Sequence, residues 1–533
     1  MTPLEKTLLA TIDTLTKTNE SQDRQIEQLT VRVDELLARI AWLQRKLFGK
    51  SSEKSHPDTH TSLFSEEELG AVPQLEETCA EQPEVASLVS ADKSKRRPVS
   101  RARQGWKNLP VLETVILEPE GVDLQRYRRI GEEVSHTVEL KPGMLYRKEI
   151  IQPKYGLKDP TEPVKKGKGV LIAPMPPLPI PKGMAGASLL SEIILKKYEY
   201  HMPFYRQIKE FAHLGMEGLK EATVVGWYQR TVELLRPLYD LLACEVMKTD
   251  YVQADETTVP VINNEKHQAD KECLWMARSV MERLVVFFYD DGSRGGRVIK
   301  DLTDRHKFKG YLQCDGFGGY EGAYGGHARV WLVYCRVHIR RQFERALDEN
   351  REAAEWFLSE IRELYRIEHE CDREGLDFEA RKAVRLQKTA PLMEEMRQWM
   401  ENEGLYYSER TLIGKAVTYA WNRWQGMKRV LEDGRLRLDN NLGENEIRPV
   451  TLGRKNYLFC GNHESAGDMC VILSLLNTAR NHDVNPRPYL NDIIARMPYK
   501  QKATPEELLE LLPHRWIKSH PEALCKDIRS KAK

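Results

Sequence analysis

Two aspartates close short apolar runs in the middle of the chain: YVQAD ends at Asp255 and YLQCD at Asp315. A carboxylate at a strand end lies at the rim of a sheet, where a substrate can reach it. Two carboxylates in one site repel unless cations neutralise them, and oxygen ligands of this kind suit Mg²⁺ or Mn²⁺. A two-metal site needs a third acid, and the segment GRLRLDNNLGENEIRPVTLGRKN, residues 434–456, supplies one. Asp439 can cap a helix there and Pro449 can end it. Asn441, Glu444 and Arg448 stand at i, i+3 and i+7, so an amide, a carboxylate and a guanidinium share one helix face. Glu446 is the rival acid, about 200° around the helix from Glu444. Residues 410–456 hold 10 Lys and Arg against 5 Asp and Glu. That balance suits a polyanion, although a solvated helix can show the same residues.

The elements that must position these acids follow from the hydrophobic pattern. Residues 251–255, 273–276 and 284–289 read as strands, 293–302 as a helix, 311–314 and 330–334 as two further strands, and a helix starts near Arg336. Three strands, a helix, a strand, a helix and a strand is the order of a ribonuclease-H-like fold. In that fold the first and fourth strands are central neighbours, so Asp255 and Asp315 would meet. The match is loose at one point, because the short loop from Asp315 to Val330 leaves little room for a helix. In all, 129 positions separate Asp315 from Glu444, more than such a fold requires. The Glu- and Arg-rich residues 352–407 are therefore expected to be a helical insertion.

Upstream, Leu8, Leu15, Leu29, Leu36 and Leu43 fall on d positions of a heptad, with Ile12, Ile26, Val33, Ile40 and Leu47 on a. β-branched a residues with Leu at d favour a parallel two-stranded coiled coil, and Asn19 at an a position would fix register. Residues 49–105 are Ser-, Glu-, Pro- and Thr-rich linker. It ends in a basic run that includes Lys95, Arg96 and Arg97, which can hold DNA phosphates or be a solvated tail. Alternating β-like stretches follow at 111–117 and 144–151. PMPPLPIP at 174–181 is a stiff hinge. Helical stretches at 204–213 and 220–235 flank a glycine-containing turn, as in a helix-turn-helix or an ordinary connector.

The expected architecture is a multidomain α/β chain: a ribonuclease-H-like catalytic domain with a helical insertion, preceded by a coiled coil and by helical and β DNA-binding segments. Its parts are a coiled-coil dimerisation segment (1–50), a linker with the basic run (51–105), a small β-rich module (106–173) and a helical region (174–245). The catalytic domain (246–500) holds its insertion at about 350–430, and a C-terminal tail (501–533) follows.

Composition limits the classes. Lys and Arg number 81 against 80 Asp and Glu, so any nucleic-acid surface is local rather than global. Charged residues make up 30% of the 533, and the mean hydropathy is −0.56. No stretch is long and apolar enough for a membrane span, and the N-terminus carries no signal-peptide pattern. Nine cysteines, with no CxxC, speak against a disulfide framework and for a reducing compartment.

ADET around Asp255, SRGG at Ser293–Gly296, GYLQCDGFGGY around Asp315, and DNNLGENEIRP with LGRKNYLF around and after Glu444 resemble a DDE transposase of the insertion sequence 66 family. The resemblance covers nearly the whole chain, including LPHRW at Leu512–Trp516. It implies that Asp255, Asp315 and Glu444 bind two Mg²⁺ or Mn²⁺ ions. One ion would activate a water and later a DNA 3′-hydroxyl, and the other would stabilise the leaving oxygen. It further implies that Arg448 holds a phosphate or orients Glu444, that Asn441 positions the helix, and that Arg454 and Lys455 lie along DNA phosphates. The implied partners are transposon terminal repeats, target DNA, a second copy through the coiled coil, and small accessory proteins, with no membrane. The implied location is the bacterial cytoplasm, at the nucleoid.

The sequence departs from the family in two places. Many members carry zinc-ligand cysteines after the linker, whereas no cysteine lies between Cys79 and Cys244 here; no zinc is expected. The position after the last acid, often Arg in the family, is Asn445.

Cys335 and His338 form a C-x-x-H step with no further ligand evident nearby, which favours a structural role. His338–Arg341 also spells the H-x-x-R element of tyrosine recombinases, in which Tyr406 or Tyr457 would attack DNA covalently. That alternative leaves the two strand-end aspartates unexplained. A non-catalytic dimeric DNA-binding regulator leaves the acid triad unexplained. A nuclease of RNA–DNA hybrids leaves the long N-terminal half without a role.

Overall fold

The computed structural model describes residues 109–120, 127–141, 143–157, 170–263 and 268–525. The heptad segment, the linker and the basic run with Lys95, Arg96 and Arg97 lie outside the described residues.

The first sheet is built from β1 (Val111–Ile116), β2 (Tyr127–Lys141), β3 (Met144–Leu157) and β4 (Val170–Ile172). β2 and β3 form an antiparallel hairpin, β1 runs parallel to β3, and β4 adds antiparallel to β3. Its strands contain no cysteine. β2 is largely charged and polar along its first half, which hid it from a hydrophobicity pattern. The hairpin is anchored at one end, where Val138, Leu140 and Leu145 are buried and Ser188 bonds the Glu139 carboxylate.

The proline-rich link carries Ile180 into the core and leads to α1 (Ala187–Tyr198), α2 (Phe204–His213) and α3 (Glu221–Met247). α3 differs from the short helix expected there. It runs 27 residues, through Pro237, and buries Val224, Trp227, Val232, Leu235, Leu238, Leu242 and Val246. That apolar stripe makes it a support for the central sheet.

The central sheet holds β5 (Tyr251–Asn263), β6 (Gln268–Ser279), β7 (Val285–Phe288), β8 (Gly310–Cys314) and β9 (Val330–Tyr334), in the order β7-β6-β5-β8-β9. β5, β6 and β7 are antiparallel neighbours, while β8 pairs parallel with both β5 and β9. The crossovers carry α4 (Arg297–Arg305), α5 (Gly318–Tyr324) and α6 (Arg336–Arg345). The loop after Asp315 therefore does hold a helix. α5 needs only seven residues, because Tyr320 and Tyr324, one turn apart, give it a buried face.

The insertion follows as α7 (Arg351–Arg373), α8 (Phe378–Val384), a π-helical turn (Arg385–Thr389), α9 (Ala390–Asn402) and α10 (Leu412–Lys428). It is tied to the chain that follows it by Arg385, which is buried. Arg385 pairs with Glu368 and donates to the carbonyls of Val430, Asp433 and Leu436. Those carbonyls lie in the segment that leads to α11 (Asn441–Tyr457). α12 (His463–Asn481) closes the free edge of β7, since Ser474 and Thr478 accept the N–H groups of Phe287 and Val285. This covers backbone groups that an open sheet edge would expose.

The segment expected as a C-terminal tail is folded as far as Cys525. Beyond α13 (Pro486–Arg496), α14 (Pro505–Leu509) and α15 (Pro513–Ser519) follow, and Trp516 is buried, packs edge-on to Tyr489 and donates to Asp492. One continuous apolar core runs from Leu109 to Ala523. The eight described cysteines are all free. Among the described residues no helix is long and apolar enough to cross a membrane.

Candidate active site

β5 and β8 run in parallel register with Gln253 opposite Gln313. Asp255 and Asp315 each stand two residues further on, at the same level of strands spaced by about 4.8 Å. The third acid is brought in by a polar clamp between the strands and the entry to α11. Gln253 Nε2 donates to Gln313 Oε1 at 2.9 Å and to the Asp439 carbonyl at 3.1 Å, and its Oε1 accepts the Gly443 N–H at 3.0 Å. Gln313 Nε2 donates to the Arg437 carbonyl at 2.8 Å, and Asn440 Nδ2 to the Ala254 carbonyl at 3.1 Å. All three amide side chains are buried, so each bond replaces water that cannot reach it. Glu444 lies in the first turn of α11, four positions after Asn440.

The turn after Asp315 is held from the insertion. Tyr419 of α10 donates to the Asp315 carbonyl at 2.9 Å, and Arg423 donates twice to the Gly316 carbonyl, at 2.6 and 3.1 Å. Phe317 N–H donates to Asp315 Oδ1 at 2.8 Å. Gly316 has φ +95°, and a Cβ there would meet Tyr419 Oη at 2.9 Å and the Arg423 side chain. Only glycine accepts that conformation without strain.

The electrostatics at Asp255 run one way. Burial raises its carboxyl well above the ordinary range, and the charges of Asp315, Glu256 and Glu444 push in the same direction. The Glu256 N–H, donated to Asp255 Oδ1 at 2.9 Å, offsets only part of this. Glu256 itself is pushed up to about 7, by burial first and then by Asp315, against the opposing pull of Arg294 and Tyr320. A cluster of carboxylates in this state fits hard divalent cations, for which oxygen is the preferred donor.

Cys335, His338 and Glu444 place their donor atoms within 4.8 Å of one another. The sequence offered no further ligand for the Cys335–His338 pair, but the fold supplies Glu444. His338 Nδ1 lies 3.9 Å from Glu444 Oε1, and both atoms are buried without a hydrogen-bond partner. Arg341 Nη1 is 3.3 Å from His338 Nε2. An arginine only donates, so Nε2 is the acceptor and a neutral ring carries its proton on Nδ1, directed at Glu444.

The remaining residues singled out from the sequence separate. Arg448 is exposed, and Asn441 is half-buried on the same helix face as Glu444. Glu446 faces away from that pocket. It is buried and bonded by Asn477 and Asn481 and paired with Arg278 at 3.1 Å. Arg454 is half-buried, and its Nη1 donates inward to the Thr258 carbonyl and hydroxyl. Lys455 is exposed. Pro449 does not end its helix, because α11 continues through it to Tyr457. Tyr457 is largely enclosed, its hydroxyl 3.8 Å from Met469 Sδ, while Tyr406 is 84% exposed.

Gln253, Gln313, Asn440, Glu256, Tyr419 and Arg423 were not evident from sequence. Only Glu256 carried a signal. It follows Asp255, and strand alternation puts it on the opposite sheet face at the same edge.

Two known families match the chain. The family described as Transposase IS66 family matches residues 182–468, which include all three acids. A second, described as Transposase C of IS166 homeodomain, matches residues 35–113. The chain is similar along its length to three proteins of Sinorhizobium fredii. The uncharacterized protein y4jD is 30% identical over 522 residues, 93% of this chain and 98% of that one. The uncharacterized protein y4hP is 26% identical over 503 residues, 90% of this chain and 88% of that one. The uncharacterized protein y4qI is 28% identical over 484 residues, 87% and 86%. With its family match spanning more than half of its residues, the chain belongs to the IS66 transposase family.

Proposed function

We propose that this chain is the DNA transposase of a bacterial insertion sequence. In this reading it binds the element's ends, cleaves phosphodiester bonds, and joins the freed 3′-hydroxyls to target DNA at a site made by Asp255, Asp315 and Glu444. The observation that carries the reading is the placement of Asp255 and Asp315 at one level of neighbouring parallel strands, with the start of α11 and Glu444 bonded to those strands through Gln253 and Gln313, so that carboxylates crowd Asp255. Such a site is costly unless cations occupy it. The strand order β7-β6-β5-β8-β9, with the two aspartates on adjacent central strands, supports a ribonuclease-H-like catalytic domain.

Bound by the three acids, Mg²⁺ or Mn²⁺ would activate the attacking water or 3′-hydroxyl and offset charge on the leaving oxygen. The chain's own residues supply the placement. The Gln253–Gln313 clamp sets the two strands and the start of α11 in one frame. Tyr419 and Arg423 fix the turn behind Asp315. His338 presents an N–H towards Glu444. Arg448 and Asn441, on the Glu444 face of α11, would meet DNA phosphates, and Lys455 and the run Lys95–Arg96–Arg97 would extend that contact. The heptad segment would join two copies of the chain, and cytoplasmic DNA at the nucleoid is its substrate.

The test is an in vitro reaction of the full chain with labelled end DNA, a target plasmid and Mg²⁺. Asp255→Asn, Asp315→Asn and Glu444→Gln are each expected to abolish joining while end binding persists, and EDTA to abolish joining by the unaltered chain. Joining by the Asp315→Asn protein would overturn the assignment.

A further inference from the structure

The SRGG segment after β7 presents an arginine beside the acids. Trp275 Nε1 donates to the Ser293 carbonyl at 2.9 Å, and Ser293 Oγ accepts the Gly295 N–H at 3.2 Å. Gly296 packs so closely on the Gly319 carbonyl that a Cβ has no room. On this fixed backbone, Arg294 reaches Glu256 Oε1 with Nε at 3.3 Å and Nη2 at 3.1 Å. Its guanidinium carbon lies 4.4 Å from the centre of the Phe317 ring. Tyr320 Oη donates to Glu256 Oε2 at 3.1 Å. Phe317 is the residue whose backbone N–H holds Asp315, so one residue, through its ring and its N–H, links the arginine to a member of the acid cluster.

The two ends of this ion pair are unequal: the Glu256 side chain is 4% exposed and that of Arg294 is 60% exposed. A pair serving stability alone gains little from an arginine so open to water. Nη1 has no partner among the described residues, and a planar guanidinium held by a carboxylate and an aromatic face has lost most of its freedom before any ligand arrives. DNA that approaches the acids must bring phosphates into a field of carboxylates. A fixed cation at the rim offsets that repulsion and sets the strand's position.

We propose that Arg294 binds a backbone phosphate of the DNA strand entering the Asp255–Asp315–Glu444 pocket, with Glu256 and Phe317 as its positioning residues. This rests on the function proposed above.

The test uses the full chain and duplexes of the DNA bordering the gene, each with one phosphate replaced by a neutral methylphosphonate, read by binding and by Mg²⁺-dependent cleavage. For the unaltered protein, one methylphosphonate position should slow cleavage by about 10-fold or more. Arg294→Ala should show that loss on unmodified DNA and no further loss at that position. The slope of log affinity against log salt should fall by about 0.9 in Arg294→Ala. Should Arg294→Ala fold poorly, the paired Arg294→Ala/Glu256→Gln protein, which leaves Glu256 without a charge to strand, gives the same comparison, and Arg294→Lys, which keeps charge without the fork, should keep the salt slope and lose part of the cleavage rate. Losses from Arg294→Ala and from methylphosphonates that multiply at every position, or an unchanged salt slope, would overturn the proposal. Binding separates this from the catalytic reading. In an Asp315→Asn background the slope should still fall with Arg294→Ala, whereas cleavage by Asp315→Asn alone would sink the acid assignment and leave the slope result standing.

Discussion

At Asp255 and Glu256 the same burial that shapes the site makes it titrate. Glu256 holds its proton up to about 7 in the folded chain, against 4.5 as its ordinary value, with desolvation the larger cause and Asp315 the next. A carboxyl raised on folding binds its proton more tightly in the native state. Its contribution to stability is full below about pH 4.5 and is lost as pH rises through about 7. Asp255, raised well above its ordinary range, acts with the same sign. In EDTA the melting temperature should therefore fall across that window, and Glu256→Gln should flatten part of the fall. Cations that pair with the ionised acids should reverse it, so Mg²⁺ is expected to raise the melting temperature more at pH 8 than at pH 5. Equal gains at both pH values, read by thermal unfolding, would contradict this account of the pocket.

Among the elements, the turn from β8 into α5 depends most on a single residue. Gly316 combines φ +95° with neighbours on the side where a Cβ would sit. Gly316→Ala should cost about 1–2 kcal/mol in denaturant unfolding and depress joining by shifting Asp315. Gly318→Ala, where a Cβ meets nothing within 4 Å, is the control expected to leave both unchanged. Replacing Gln313 with Leu would strip partners from the Arg437 carbonyl and Gln253 amide, at about 1–3 kcal/mol for each group left unsatisfied. How much of this was legible in the sequence varied with the kind of signal. β9 and α2 were readable from apolar runs and periodicity. Asp315 follows the end of β8 as the apolar run suggested, whereas β5 does not end at Asp255 but continues to Asn263 against β6. β2 was not, because its first half is largely charged or polar and exposed on both faces, which leaves no apolar alternation to read. α5 was not, because GGYEGAY reads as loop until its two tyrosines find the sheet. Arg454 looked like a free cation beside Lys455, yet tertiary packing gave it a backbone partner. Gln253 and Gln313 sit inside apolar runs, where an amide shows no sign of whether it spans two strands or faces water.

For the molecule as a whole, the helices between β9 and α11 pack into the same body as the central sheet. Arg385, Tyr419 and Arg423 tie them to α11's approach and to Asp315, so the 128 residues between Asp315 and Glu444 supply support on both sides of the pocket. With one core running from Leu109 to Ala523, the chain lacking residues 1–50 should unfold in a single transition at an unchanged midpoint. Its mass in solution should drop to that of one chain if the heptads hold the dimer. Light scattering that shows the same oligomer after truncation would contradict that role. The central claim, three acids from three elements holding divalent cations, is tested most directly by diffraction at the manganese edge. Crystals of the full chain with a cleaved DNA end and Mn²⁺ should show anomalous peaks bounded by Asp255, Asp315 and Glu444. Peaks absent there, or present only between Cys335 and His338, would contradict it.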